Sequence, residues 1–237
     1  MNYLSANALS KAYGLKVLFE DLTFGISRGQ KIALVGRNGC GKSSLMRVLA
    51  GKDVPDSGEV SLRKGIRTVF LDQSPEFGDA ATVMDAVFTG DDPRLQVIRN
   101  YEILSKKADV DPDKLQAAME AMEKHEAWDY ESRVREVLGK LGITNFEQAI
   151  PELSGGQRKR VALARGLVQE PDFIVLDEPT NHLDTDTIEW LENYLASRNT
   201  TLMLVTHDRY FLDRVCNEVM ELDKGQLYRY PGDYENF

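Results

Sequence analysis

The stretch that decides the fold is Lys31-Ile32-Ala33-Leu34-Val35-Gly36-Arg37-Asn38-Gly39-Cys40-Gly41-Lys42-Ser43. Residues 31–35 are a compact apolar run of the kind that forms a buried parallel strand. Residues 36–43 fit the pattern G-x-x-x-x-G-K-[ST], and a helix is predicted from Lys42 to Ala50. Glycines let backbone N–H groups wrap phosphates, and a helix N-terminus adds the positive end of its dipole. The sequence therefore predicts a phosphate-binding loop rather than an ordinary glycine-rich turn.

Strand and helix patterns alternate on both sides of this loop. Short strands and turns are predicted over residues 1–30, and strand character returns at residues 59–71. Further segments are predicted as helices at 156–168, 185–197 and 208–215, and as strands at 173–176, 201–205 and 218–222. Such alternation indicates an α/β fold with a mostly parallel sheet.

The middle of the chain, residues 91–141, has no strand signal and predicts a helical subdomain. The spacing of its apolar residues predicts three helix faces. These are Val97, Tyr101, Leu104 and Ala108; then Leu115, Ala118, Met119 and Met122; and last Val134, Val137, Leu138 and Leu141. Asp111-Pro112 has the residue types of an N-cap followed by a first helical position, so the second helix is predicted to begin there.

The composition is that of a globular chain. It has 237 residues, 42% hydrophobic and 28% charged, and includes two cysteines. A single domain over residues 1–237 is expected. No long uninterrupted apolar run and no signal-peptide pattern are present, which predicts a cytoplasmic protein with no direct membrane insertion. The net charge of −9 argues against a protein that holds nucleic acid mainly by neutralising phosphates.

Two carboxylates, Asp177 and Glu178, follow the apolar run at residues 173–176. Strand alternation predicts that their side chains point to opposite sides, one towards a metal and one towards an attacking water. Asp177 and the Ser43 hydroxyl fit Mg²⁺, Lys42 fits the β- and γ-phosphates, and Glu178 fits a general base. Alone, such a pair is as often only a helix N-terminus; together with the phosphate loop it indicates a catalytic pair.

The stretch Leu153-Ser154-Gly155-Gly156-Gln157 resembles the signature of the ABC-type ATPases. The resemblance implies a P-loop NTPase core with a mostly parallel sheet, an antiparallel β subdomain and a helical subdomain with an inserted helical arm. It implies ATP hydrolysis with ATP and Mg²⁺ bound. The nucleotide-binding residues would be Tyr13, which would stack on adenine, then Gly36, Arg37, Asn38, Gly39, Cys40, Gly41, Lys42, Ser43 and Ser44.

The same resemblance implies further site residues. Gln73 would contact Mg²⁺ and the attacking water, Asp184 would belong to the D-loop, and His207 would contact the γ-phosphate. A serine and two glycines at a helix N-terminus make a second anion site. In the ABC family this site closes on the nucleotide of a partner, so residues 153–157 are expected to act in trans. The expected partner is a second ABC domain or a second copy of the chain.

A narrower resemblance is to the ABC-F proteins. It is carried by Asn181-His182-Leu183-Asp184, by residues 206–212, by Tyr230-Pro231-Gly232-Asp233-Tyr234 and by the insertion at residues 91–136. Trp128-Asp129-Tyr130-Glu131 resembles the Uup branch. This resemblance implies the first ABC domain of a tandem protein that acts on the ribosome in translation.

Two other functions are open: the nucleotide-binding motor of an ABC transporter, and a non-catalytic ATP-gated switch. The presence of Lys42, Glu178 and His207 weakens the second. The insertion at residues 91–136 holds 8 Lys or Arg against 12 Asp or Glu. We therefore expect it to reach RNA only through local cations such as Arg99, Lys106 and Lys107, or else to contact protein.

Overall fold

A computed structural model describes residues 1–71, 75–88 and 93–232. The chain forms two compact units. The first unit comprises residues 1–73 and 170–237, and the second unit comprises residues 74–169. Within the described ranges, no helix combines the length and apolar character needed to span a membrane.

All the strands of the described residues lie in the first unit. In chain order they are β1 (Asn2–Tyr13), β2 (Lys16–Ser27), β3 (Lys31–Val35), β4 (Ser57–Leu62), β5 (Thr68–Leu71), β6 (Phe173–Asp177), β7 (Thr201–Val205), β8 (Glu218–Asp223) and β9 (Gln226–Pro231). The α-helices of the described residues, in chain order, are α1 (Lys42–Leu49), α2 (Val83–Val87), α3 (Pro93–Ser105), α4 (Pro112–Lys124), α5 (Ala127–Lys140), α6 (Gly155–Val168), α7 (Thr185–Ser197) and α8 (Arg209–Val215).

A six-stranded sheet in the order β5-β6-β7-β3-β8-β9 is the core of the first unit. Its strands pair in parallel except for β9, which pairs antiparallel with β8. Both β6 and β7 are buried along their whole length, as strands covered on both faces are. The predicted mostly parallel sheet is therefore confirmed.

A separate antiparallel sheet has the order β2-β1-β4, which confirms the expected antiparallel subdomain. The prediction of several short strands before residue 30 was wrong, because β1 and β2 are long strands joined by a tight turn at Gly14, where φ is +60°. The region predicted as strand at residues 59–71 overlaps two separate strands, β4 and β5. The glycine turn at Gly65 separates β4 from β5, which belong to different sheets.

The second unit is helical, as predicted. The Asp111 side chain caps α4 by accepting the Asp113 N–H at 3.0 Å, and the predicted apolar face of α5 is buried. The predicted face of α3 was wrong, because Leu95, Ile98 and Glu102 are its buried residues. Charge explains the error: Glu102 is buried while paired with Arg135 of α5, which an apolar pattern cannot anticipate. On α4, Ala118 and Met122 are buried, but the predicted Met119 is 43% exposed.

Candidate active site

The loop at residues 36–41 joins β3 to α1 and needs glycine at two points. At Gly36 φ is +148°, and a Cβ there would lie 2.4 Å from the Leu222 carbonyl oxygen. At Gly41 φ is +111°, and a Cβ would lie 3.0 Å from the Leu18 Cβ. Any side chain would therefore displace the loop from β8 or β2. The glycines of the pattern are required by this backbone path before any ligand is considered.

Lys42 begins α1 and folds back over the loop. Its Nζ donates to the carbonyl oxygens of Gly36 at 2.8 Å and Arg37 at 3.1 Å. The ammonium is thus held beside the backbone that the sequence assigns to phosphate binding. An anionic ligand would replace these neutral acceptors with charged ones, which bind an ammonium more strongly.

The two carboxylates of the predicted pair line one cavity together. The prediction that strand alternation sends them to opposite sides was wrong, because β6 ends at Asp177 and Glu178 has φ +54°. The left-handed backbone turns Glu178 out of the strand pattern, and its N–H donates to the Val205 carbonyl at the end of β7 at 2.8 Å. Asp177 is 8% exposed. A metal-facing and a water-facing carboxylate therefore have to share this cavity.

Glu178 lies next to the predicted switch histidine. Its Oε1 is 3.4 Å from the Nε2 of His207, while a hydrogen bond of 2.9 Å between the hydroxyls of Thr180 and Thr206 ties the two segments together. Burial raises the pKa of Glu178, and the nearby Asp177 raises it further, while His207 opposes the rise. A carboxylate with a raised pKa is a better proton acceptor, as a general base must be.

Lys42, Asp177, Glu178 and His207 line a cavity of about 570 Å³ in the first unit, a volume in the usual range of ligand pockets. The predicted residues that line it are Tyr13, Asn38, Gly39, Gly41, Lys42, Ser43, Ser44, Asp177, Glu178 and His207. Of the predicted loop residues that the structure describes, Gly36, Arg37 and Cys40 are not in the lining. Gln73 lies outside the described residues.

The cavity suits a metal ion that takes most of its oxygen donors from the phosphates of a bound substrate. Ser43 and Asp177 supply a hydroxyl and a carboxylate, the oxygen donors that Mg²⁺ prefers. Among the described residues there is no cluster of three or more His, Cys, Asp or Glu that could hold a metal without a ligand. Mg²⁺ typically uses one or two carboxylates together with substrate phosphates, so the donor set fits it.

Tyr13 lies at the end of β1, is 54% exposed, and donates its hydroxyl hydrogen to Asp53 at 2.8 Å. Sequence reasoning missed Lys16, which lines the cavity and donates from Nζ to the Gly39 carbonyl oxygen at 2.8 Å. The signal for Lys16 was Gly14, because a tight turn there makes Tyr13 and Lys16 opposite partners on β1 and β2. The remaining unpredicted lining residues are Leu18, Asn181 and Val205.

The signature lies in the second unit, at the start of α6. Ser154 is the N-cap: its Oγ accepts the Gln157 N–H at 3.2 Å, and its own N–H donates to the Gln157 side chain at 2.9 Å. Leu153 is buried, whereas a Cβ on Gly155 would meet no atom within 4 Å. The fold explains the serine and the glutamine as a capping box, but steric contact within the chain gives no reason for glycine at 155.

Asp184 has a local structural contact. It is the N-cap of α7, and its Oδ1 accepts the Thr187 N–H at 2.9 Å. This bond stabilises the first turn of α7, as an N-cap does. The D-loop role implied for Asp184 stays a prediction.

A phosphate loop after β3, carboxylates at the end of β6 and a histidine after β7, on a mostly parallel sheet, define a P-loop nucleotide-binding domain. The ABC transporter family model matches residues 19–181, more than half of the chain. The chain therefore belongs to the ABC family, which confirms the prediction of an ABC-type ATPase domain.

Curated relatives point to the ABC-F proteins. The chain is 43% identical to the ABC transporter ATP-binding protein YfmR of Bacillus subtilis over 100% of this chain and 39% of the relative. It is 39% identical to the energy-dependent translational throttle protein EttA of Mycobacterium tuberculosis over 96% and 42%, and 33% identical to the ATP-binding protein Uup of Escherichia coli over 100% and 38%. The predicted ABC-F resemblance is confirmed, and the chain spans about two fifths of the length of these relatives.

Solved structures confirm the fold. An ATP-binding subunit of an ABC transporter matches with a TM-score of 0.70 at 20% identity, over 97% of this chain and 90% of that chain. A dimeric ATP-binding cassette bound to ADP and Pi matches with a TM-score of 0.67 at 22% identity, over 96% and 98%. Both likenesses concern the fold.

Proposed function

We propose that the chain is an ATP-binding and ATP-hydrolysing domain of ABC-F type that closes head to tail on a second ABC domain and acts on a ribosomal client. Both compact units would belong to one ABC domain over residues 1–237. The observation that carries the catalytic part is the single cavity that brings together Lys42, Ser43, Asp177, Glu178 and His207.

Each of these side chains has a chemical task in the proposal. Lys42 would leave the loop carbonyls and bind the β- and γ-phosphates, while Ser43 and Asp177 would hold Mg²⁺, which neutralises phosphate charge. Glu178 would accept a proton from the attacking water, and His207 would orient towards the γ-phosphate from 3.4 Å away from Glu178. Gln73 would complete the set at the metal and the water.

The signature would serve the partner's nucleotide. A helix N-terminus that begins with Ser154 and Gly155 offers N–H groups and the positive dipole end to an anion. The open space where a Gly155 Cβ would lie is the room that an approaching phosphate needs. In the solved dimer, ADP and Pi are bound to a cassette of the same fold, which supports a dimeric arrangement for this chain.

The ribosomal client rests on the relatives. EttA is named as a translational throttle protein, and its match covers 96% of this chain. Two of the three cations expected to reach RNA are already paired within the second unit: Arg99 with Asp85 at 3.2 Å, and Lys106 with Glu147 at 2.5 Å. Of these three cations, Lys107 forms no ion pair with a described residue, so we propose Lys107 for an RNA contact. Otherwise we propose that the insertion touches protein.

Nucleotide-dependent co-sedimentation with ribosomes tests the client. We expect the Glu178→Gln variant, which would retain ATP, to pellet with ribosomes in ATP and not in ADP. A Glu189→Gln variant, which removes the same charge from an exposed position on α7, should pellet no more than the wild type does. If the Glu178→Gln variant pellets with ribosomes to the same extent in ATP and in ADP, the proposal is contradicted.

The transporter motor is the second candidate, favoured by the solved ATP-binding subunit of a transporter. It predicts ATP-dependent association with a membrane-embedded partner. Mixing the Glu178→Gln variant with washed membranes and with ribosomes, each in ATP and in ADP, separates the two functions.

A further inference from the structure

A small network of side chains lies behind the Tyr13 ring. The Tyr13 hydroxyl donates to Oδ2 of Asp53 at 2.8 Å, and Lys11 Nζ donates to Oδ1 of the same carboxylate at 3.0 Å. Lys11 Nζ also donates to the Val54 carbonyl oxygen at 2.6 Å and lies 5.4 Å from the centre of the Tyr13 ring. One carboxylate thus holds the hydroxyl of a half-exposed aromatic residue and a cation that contacts its ring.

Lys11 and Asp53 reinforce each other's charge. The hydrogen bond to Lys11 is the main reason that the pKa of Asp53 is lowered, and the Tyr13 hydroxyl adds to it. The same bond to Asp53 is the main reason that the pKa of Lys11 is raised. The pair therefore stays ionised at neutral pH, and the Tyr13 hydroxyl keeps a charged acceptor.

Asp53 is also connected to the phosphate loop through α1. This helix begins at Lys42, directly after the loop, and its last turn accepts the N–H groups of Lys52 at 2.8 Å and Asp53 at 3.2 Å on the Arg47 carbonyl. The helix that presents the phosphate site at one end therefore fixes the carboxylate that holds Tyr13 at the other.

We propose that Asp53, held by Lys11, is a positioning residue that fixes the Tyr13 ring on the cavity wall so that a nucleobase can stack on it. This inference rests on the proposed ATP site. A tyrosine freed from Asp53 could rotate about its side-chain bonds, and stacking would then have to restrict that freedom at each binding event. Because the Tyr13 hydroxyl donates its hydrogen bond to Asp53, its role in this proposal is to hold the ring in position.

The test compares a ligand that has a base with one that has none. Affinities for ATP and for inorganic tripolyphosphate are measured by calorimetry on the 237-residue chain and on the variants Asp53→Ala, Tyr13→Phe and the double variant. We expect each single variant to weaken ATP by about three- to tenfold, the range of one lost hydrogen bond, and tripolyphosphate by less than about twofold. The double variant should be no weaker than the singles, because both remove the same bond.

Conservative and matched variants complete the design. Asp53→Asn keeps an oxygen for the Tyr13 hydroxyl and should recover most of the ATP affinity. Tyr230→Phe and Glu221→Ala break a tyrosine–carboxylate hydrogen bond of 3.2 Å between β9 and β8 and should leave both ligands unaffected. Equal weakening of ATP and tripolyphosphate, or additive losses in the double variant, would overturn the positioning role. A wild-type chain that binds neither ligand would instead overturn the proposed function.

Discussion

The phosphate cavity of the first unit and the signature of the second unit contrast in what the chain itself supplies. The cavity joins side chains from the ends of β1, β6 and β7 with a glycine-rich loop, and its glycines are required by contacts within the unit. The signature is a single helix N-terminus whose polar side chains cap each other, with an unfilled space at Gly155.

The first site has its loop, carboxylates and histidine gathered within one unit. The second site consists of one helix N-terminus. Folding alone accounts for Gly36 and Gly41, whereas contacts within the chain do not account for Gly155. A residue that the fold does not need, at a helix N-terminus suited to anions, is what a half-site for a partner's phosphate requires. Variants that change the cavity without the signature, or the signature without the cavity, test this difference.

The largest effect is expected for Glu178→Gln. If Glu178 is the general base, turnover should fall by about 10²- to 10⁴-fold, while ATP affinity stays within about twofold because the shape of the side chain is kept. Turnover and ATP binding are measured on a chain able to dimerise, with Glu189→Gln as the exposed control. Turnover equal to that of the wild type would show that Glu178 is not the general base.

The next largest effect is expected for Ser154→Arg. The new side chain would occupy the approach to the α6 N-terminus, so ATP-driven association should fall by about 100-fold or more, whereas ATP affinity should not change. Sedimentation velocity and calorimetry measure the two quantities. Ser197→Arg, at an exposed serine near the end of α7, adds the same charge and should leave association intact.

A smaller, graded effect is expected from pH. Because burial raises the pKa of Glu178, turnover should fall as the pH is lowered through a value above the ordinary 4.5, by about tenfold per pH unit below it. ATP affinity measured over the same range serves as the control. If turnover of the Glu178→Gln variant falls with decreasing pH as it does in the wild type, the fall belongs to the titration of another group.

The smallest effect is expected for Gly155→Ala. Alanine should raise the free energy of unfolding by up to about 1 kcal/mol, since it favours helix and meets no clash. Association in ATP should nevertheless fall several-fold. Gly139→Ala on α5, where a Cβ also meets no atom within 4 Å, should stabilise the chain without changing association. Association that survives Gly155→Ala would mean that the space is not used.

Local patterns allowed much of the fold and site to be predicted. The phosphate loop is contiguous in sequence, and the bounds of α7 and β7 follow from apolar periodicity between clear helix caps and turns. The predicted cavity residues meet because parallel strands carry their carboxyl ends to one edge of the sheet.

What could not be predicted depends on long-range contacts or on backbone strain. The buried face of α3 includes Glu102, whose partner Arg135 lies on another helix. Asp53 meets Tyr13 across 40 residues of sequence, so no local pattern connects them. Glu178 departs from strand alternation because its φ is +54°, a conformation that the sequence Leu-Asp-Glu-Pro does not reveal.

A complementation experiment tests most directly the claim that the signature works in trans. Lys42→Ala loses the phosphate loop and Ser154→Arg loses the signature, so each variant alone should be nearly inactive. In an equal mixture, a mixed dimer has one intact composite site. Random pairing would leave about a quarter of all sites intact, and because Ser154→Arg weakens association, turnover should recover to less than that share of the wild-type value. A mixture that stays as inactive as its components, although mixed dimers form in ATP, would contradict the account.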